Sequence, residues 1–153
     1  MSLDIDITEL YQELILDHSK RPRNRGELPG SNHQADGHNP LCGDRITVFL
    51  KIEGGRVVDP AFVGEACAIC TASASMMTEK LKGLTVQQVE TVFGDFHDLL
   101  TGHVAVADVA QRLGKLAALS GVQRFPIRVK CATLPWHTMK AALDDRAEPV
   151  STE

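Results

Sequence analysis

The sequence predicts an α+β domain in which a small antiparallel β-sheet of about three strands is covered by helices. Residues 45–52 alternate apolar and polar side chains, Gly54-Gly55 can turn the chain back, and from residue 71 onward apolar residues recur at helical spacing. A length of 153 residues suits one domain, read as 1–147 with 148–153 as a flexible C-terminal tail. An apolar share of 43% with 24% charged residues is that of a chain that buries a core, which excludes wholesale disorder.

Ile7, Leu10, Tyr11, Leu14 and Ile15 make one apolar face of a first helix, with Asp6 as its N-cap, Glu9 three residues later and Pro22 fixing its end. The following segment to Pro40 is rich in Gly, Pro and Asn and reads as a long loop, which in a small domain is usually functional. Ile46, Val48, Leu50 and Ile52 then share one face of a strand. Gly54-Gly55 form a tight turn, and RVVDPAFVG returns as a second strand broken by Pro60. A third short strand is placed near Gly64 to Cys67. Thr71 to Gly83 is helical, with Gly83 at its C-terminal end. Thr85 and Gln88 form a capping-box pattern ahead of Val89, Val92, Phe93 and Phe96. A shorter helix around Ala107 to Leu113, a Gly-interrupted stretch to Phe125-Pro126 and a last helix from about Pro135 to Asp145 complete the chain, and EPVSTE is expected to fray.

Sixteen Lys and Arg against twenty Asp and Glu leave a net charge of −4, whose field repels phosphate backbones and anionic lipid, so nucleic acid is a poor partner. No stretch approaches the roughly 20 apolar residues of a membrane helix, and MSLDIDITEL is acidic where a signal peptide is basic. A cytoplasmic protein away from the membrane is the expectation. Lys20, Arg21, Arg23 and Arg25 form a basic run that reads as a solvated helix end, with a partner-docking patch as the alternative. Neither G-x-G-x-x-G nor G-K-[ST] occurs, so no nucleotide site is indicated.

Four cysteines stand at 42, 67, 70 and 131. In a chain of this type they are more often metal-binding or catalytic than disulfide-bonded. Cys42-Gly43-Asp44 enters the first strand, Cys67 ends the sheet segment, and Cys131 is placed just before the final helix. Converged, Cys42, Asp44, Cys67 and Cys131 offer three thiolates and a carboxylate, enough to close a tetrahedral Zn(II) site. The hard carboxylate among soft thiolates suggests that one corner opens. Arg128 and Lys130 flank Cys131 and would offset the excess negative charge of such a site. Two other readings stay open: buried cysteines that act as small hydrophobes, and a redox pair in Cys67-Ala68-Ile69-Cys70, which lacks the βαβ surroundings such pairs have. His33, His38 and His137 are read as bystanders.

Taken together, LILDHSKRPRNRG, NPLCGD, GEACAICTASASMMTEKLKG and RVKCATLPW resemble, in order and over nearly the whole chain, the SufU branch of the NifU/IscU superfamily. The resemblance implies a SufE/NifU-like fold and a zinc-bound sulfur acceptor. Its implied partners are a pyridoxal-phosphate cysteine desulfurase of SufS type and downstream SUF scaffold proteins. Cys42, Asp44, Cys67 and Cys131 match the family's metal ligands, and Arg128 matches an arginine beside them. Cys42 is the implied sulfur-carrying thiol. The related scaffold branch, which assembles a [2Fe-2S] cluster or holds iron on the same ligands, carries His before its last cysteine, where this chain has Lys130. Cys70 departs from the pattern, which has serine there.

Overall fold

A computed structural model describes the backbone of residues 3–145 and 148–151, with side chains of the first helix from residue 9 onward. The order is α1 (Leu3–Lys20), β1 (His33–Asn39), β2 (Asp44–Glu53), β3 (Arg56–Glu65), α2 (Ala68–Leu81), α3 (Val86–Leu100), α4 (Val106–Leu113), a 3-10 segment (Gly114–Arg124), α5 (Pro126–Leu143) and β4 (Val150–Ser151). The expected α+β architecture is present, with four strands among the described residues, in the order β3-β2-β1-β4, where about three were expected. β1, β2 and β3 pair antiparallel, and β4 adds a short parallel edge with Gly37 opposite Val150. The tail read as free from residue 148 therefore contributes Val150–Ser151 to the sheet. No helix among the described residues is long and apolar enough to cross a membrane.

The hairpin turn at Gly54-Gly55 has positive φ at both residues, as expected. The separate strand expected near Gly64 to Cys67 is instead the end of β3, paired to β2 as far as Glu65. β1 lies in the segment read as loop. HQADGHN contains no β-branched or aromatic residue, yet Ala35, Gly37 and Asn39 alternate inward, and their small size lets α5 come close. At Gly37 a Cβ would run into the Thr138 hydroxyl and come within 3.2 Å of Leu134 Cδ1.

α1 is already under way at Leu3, so Asp6 lies inside the helix and is not its cap. The basic run beyond it is mostly an anchor. Arg23 pairs with Asp17 at 2.7 Å and donates its backbone N–H to Ser75 Oγ at 2.8 Å, Asn24 Nδ2 donates to Thr78 Oγ1 at 3.1 Å, and Arg25 donates to Gly64 O at 3.1 Å. His18 is fully buried in the same joint, with Nδ1 2.7 Å from Ser75 Oγ. The capping box on α3 forms as expected, Gln88 N–H donating to Thr85 Oγ1 at 3.2 Å and Thr85 N–H to Gln88 Oε1 at 2.9 Å.

α5 starts at Pro126, nine residues before the predicted start, so Cys131 lies inside this helix and not ahead of it. Pro126 fits the first helical turn, whereas Pro135 inside the helix removes the N–H that would bond the Cys131 carbonyl. The interruption is tolerated because α5 is walled in. Ser73 of α2 donates to Ala132 O at 2.5 Å, Trp136 Nε1 donates to Ser73 Oγ at 3.1 Å, and Leu134, Trp136 and Met139 are buried in the core.

Two outcomes follow from this packing. Gly37→Ala should lower stability by about 1–3 kcal/mol, the usual cost of overpacking, seen as a drop of several degrees in a thermal melt. Burial, then the nearby Arg23 charge, depress the pKa of His18. The unfolded chain therefore takes up a proton that the folded chain refuses, and this contribution is lost as pH falls through about 6.5. His18→Gln should flatten the decline of the urea midpoint between pH 7 and 5.

Candidate metal centre

The sulfur and carboxylate groups are delivered by three separate backbone joints. Residues 40–43 are the tip of the β1–β2 hairpin, closed by Asn39 opposite Asp44. Asn39 accepts two bonds from this tip, Leu41 N–H to its Oδ1 at 3.1 Å and Cys42 N–H to its carbonyl at 3.3 Å. Gly43 completes the turn with φ of +71°, a conformation that side-chain-bearing residues rarely adopt. Cys67 sits between β3 and α2 and caps the helix, its Sγ accepting from Cys70 N–H at 3.4 Å. Cys131 is held in α5.

These joints meet. Cys42 Sγ and Cys131 Sγ are 3.2 Å apart, and the ligand atoms of Cys42, Asp44 and Cys131 all lie within 4.8 Å of one another. Cys67 joins through Asp44: its Sγ is 3.6 Å from Oδ2, and its backbone N–H donates to Oδ1 at 2.7 Å. Asp44 and Cys131 are buried, Cys67 is half-buried and Cys42 is exposed. None of the four cysteines is disulfide-bonded. Two thiolates on one tetrahedral ion with bonds of about 2.3 Å stand about 3.8 Å apart. The Cys42–Cys131 pair thus needs only a small opening to accept a dication, and the donor set fits one.

Burial pushes the Cys67 and Cys131 thiols above their ordinary pKa; for Cys131 the contact with Cys42 adds to this, and for both so does the Asp44 charge. These effects favour the neutral thiol. A bound dication reverses that preference, because it holds thiols in their ionised form.

The other sequence candidates make contacts of their own. Arg128 is exposed on the first turn of α5, its guanidinium 4.7 Å from the centre of the Phe125 ring. His33 Nδ1 is 2.9 Å from Ala142 O and 3.0 Å from Asp145, while His137 packs edge-on to Phe93 and His97. Cys70 is fully buried and its thiol is pushed far up by desolvation, the opposite of the exposed low-pKa thiol of a redox pair. The sequence reading passed over Asn39, although an Asn-Pro pair ahead of Cys42 is a turn-initiating signal. It also passed over Leu41, Phe125 and Ile127, which stay 60%, 48% and 57% exposed beside the ligand-bearing segments.

The profile of the NifU-like N-terminal domain matches residues 10–132. The zinc-dependent sulfurtransferase SufU of Bacillus subtilis is 42% identical over 140 residues, 92% of this chain and 93% of the relative. The iron–sulfur cluster assembly scaffold protein IscU of Streptococcus pyogenes serotype M1 is 36% identical, over 90% of this chain and 84% of its own. Among solved structures, a proposed iron–sulfur cluster assembly scaffold protein for the SUF system from Fervidobacterium islandicum AW-1 superposes with a TM-score of 0.81 at 32% identity, covering 88% of this chain and 97% of that one.

Because Cys70 points into the core and not into the cluster, Cys70→Ser should leave metal uptake unchanged and cost about 1 kcal/mol for the buried hydroxyl. Metal content and a thermal melt check this. Loss of metal in that variant would place the wrong cysteine of the C-x-x-C in the site.

Proposed function

The chain belongs to the NifU-like N-terminal domain family, and on that premise we propose that it is a zinc-dependent sulfur acceptor. It takes persulfide sulfur from a SufS-type cysteine desulfurase in the cytoplasm and relays it to SUF scaffold proteins for iron–sulfur cluster assembly. The observation that carries this reading is the asymmetry of the cluster: one exposed thiol on a hairpin tip, against two thiols and a carboxylate held by strand and helix backbone.

Cys42, Asp44, Cys67 and Cys131 are the proposed metal ligands. Zinc held by this set would supply two positive charges that keep the thiols ionised, without redox chemistry of its own. The chain's residues do the rest. The tip carrying Cys42 is joined to the body by Asn39 and by Gly43, so it can swing outward at small cost. Cys42 thiolate then attacks the outer sulfur of the partner's persulfide. A new sulfur–sulfur bond forms on Cys42, the partner's old one breaks, and the partner's cysteine leaves as thiolate. Asp44, Cys67 and Cys131 stay in place. Arg128, one helical turn ahead of Cys131, is the proposed catalytic partner, whose exposed guanidinium would leave the Phe125 ring to meet the anionic sulfur. Leu41, Phe125 and Ile127 offer apolar surface for the desulfurase at the same end of the molecule.

A second reading, an IscU-like scaffold that assembles a [2Fe-2S] cluster on the same ligands, is favoured by the scaffold names of the other relatives. Lys130 in place of a histidine ahead of Cys131 supports the first.

Protein purified without oxygen should hold about one zinc per chain, whereas stoichiometric iron with acid-labile sulfide would establish the scaffold reading. After incubation with desulfurase and cysteine, mass spectrometry should find an adduct of about 32 Da, one sulfur, on Cys42. Cys42→Ala should keep part of its zinc and lose the adduct, and Cys67→Ala and Cys131→Ala should lose the metal. An adduct on Cys67 or Cys131 with Cys42 bare contradicts the assignment.

A further inference from the structure

Asn39 is fully buried, polar, and touches both halves of the cluster. It is the last of the three inward residues of β1, after Ala35 and Gly37, and so faces α5. Its Oδ1 accepts from Leu41 N–H at 3.1 Å, and its Nδ2 donates toward Cys131 Sγ at 3.8 Å. Its carbonyl accepts from Cys42 N–H at 3.3 Å, and across the ladder it pairs with Asp44. The amide orientation is fixed by Leu41, since turning it over would point its NH2 at the Leu41 N–H, donor against donor. One residue therefore sets the hairpin tip and the buried sulfur at the same time.

We propose that Asn39 is the positioning residue of the thiol pair: it folds the tip so that Cys42 lies against Cys131, and its N–H holds the Cys131 sulfur in place. The two thiols are thereby made unequal. Cys131 has an amide donor and a helix behind it, whereas Cys42, apart from its contact with Cys131, is tied by a backbone bond at the exposed tip. Cys42 is the thiol that leaves, and Cys131 the one that stays. This last step rests on the sulfur-acceptor reading above, but the positioning itself does not.

Asn39→Asp keeps the acceptor for Leu41 N–H and replaces the donor with a carboxylate oxygen. Asn39→Ser, uncharged and too short to reach Cys131, serves if the buried carboxylate prevents folding. The full chain, stripped of metal and checked by far-UV circular dichroism, is treated with diamide, which oxidises two thiols to one disulfide and is itself reduced to the hydrazine. Peptide mapping then follows which pair joins and how fast. The wild type should form the Cys42–Cys131 link first. A folded variant should form it at least tenfold more slowly, with part of the product joined through Cys67 instead. The same pair at a rate within twofold of wild type overturns the proposal. Zinc competition against a chromophoric chelator, run on the wild type in parallel, separates the two readings. A wild type that takes no zinc but shows the variant effect removes the sulfur-acceptor function and leaves Asn39 its role. A wild type that takes zinc with variants unchanged does the reverse.

Discussion

The structure depends on bringing three chain segments, far apart in sequence, to one point where a carboxylate and three thiols crowd together. Asp44 is buried at the start of β2, Cys131 is buried in α5, and Cys67 stands between them at the head of α2. Burial and the Asp44 carboxylate both disfavour thiolate at Cys67 and Cys131. A bound metal would therefore couple sheet and helices. The ion would link element ends that the core alone holds only from one side, and its binding free energy would become part of folding.

The rest of the fold reads as support for that meeting point. Gly37 lets α5 lie close on β1, and the Ser73–Trp136 pair holds α5 against α2 on either side of Pro135. Pro135 leaves the carbonyl of Cys131 without its helical partner, so the segment bearing the third thiol is fixed by packing more than by its own ladder. At the other end of α2, the Arg23, Asn24 and His18 contacts tie down the chain between α1 and β1. Arg23 in particular spends its charge on Asp17 at the α1 terminus, which leaves less of the basic run for a partner than the sequence suggests.

What was legible in the sequence was whatever repeats or has a motif. The alternation through Ile46, Val48 and Leu50, the glycine turn at 54-55 and the Thr85–Gln88 capping box are all present in the fold. Cys42, Asp44 and Cys131 come together and Cys67 reaches them through Asp44, a set legible from residue type although Cys131 lies inside a helix and not at its end. β1 was hidden because its inward residues are Ala, Gly and Asn, selected to admit a helix and not for strand propensity. The start of α5 was hidden because Pro135 looks like a helix boundary unless its burial is known. Arg128 matched a pattern, yet a side chain's direction is set by its neighbours, and here it lies over Phe125. Asn39 was missed because its importance lies in contacts with residues as distant as Cys131.

The central claim, that one ion fastens the hairpin tip, the head of α2 and the start of α5 together, is tested most directly by amide hydrogen exchange of the full chain with and without bound zinc. Slower exchange on metal binding in all three segments, residues 40–45, 66–71 and 127–133, is the predicted result. Protection confined to one of them, or exchange unchanged by metal, would contradict it.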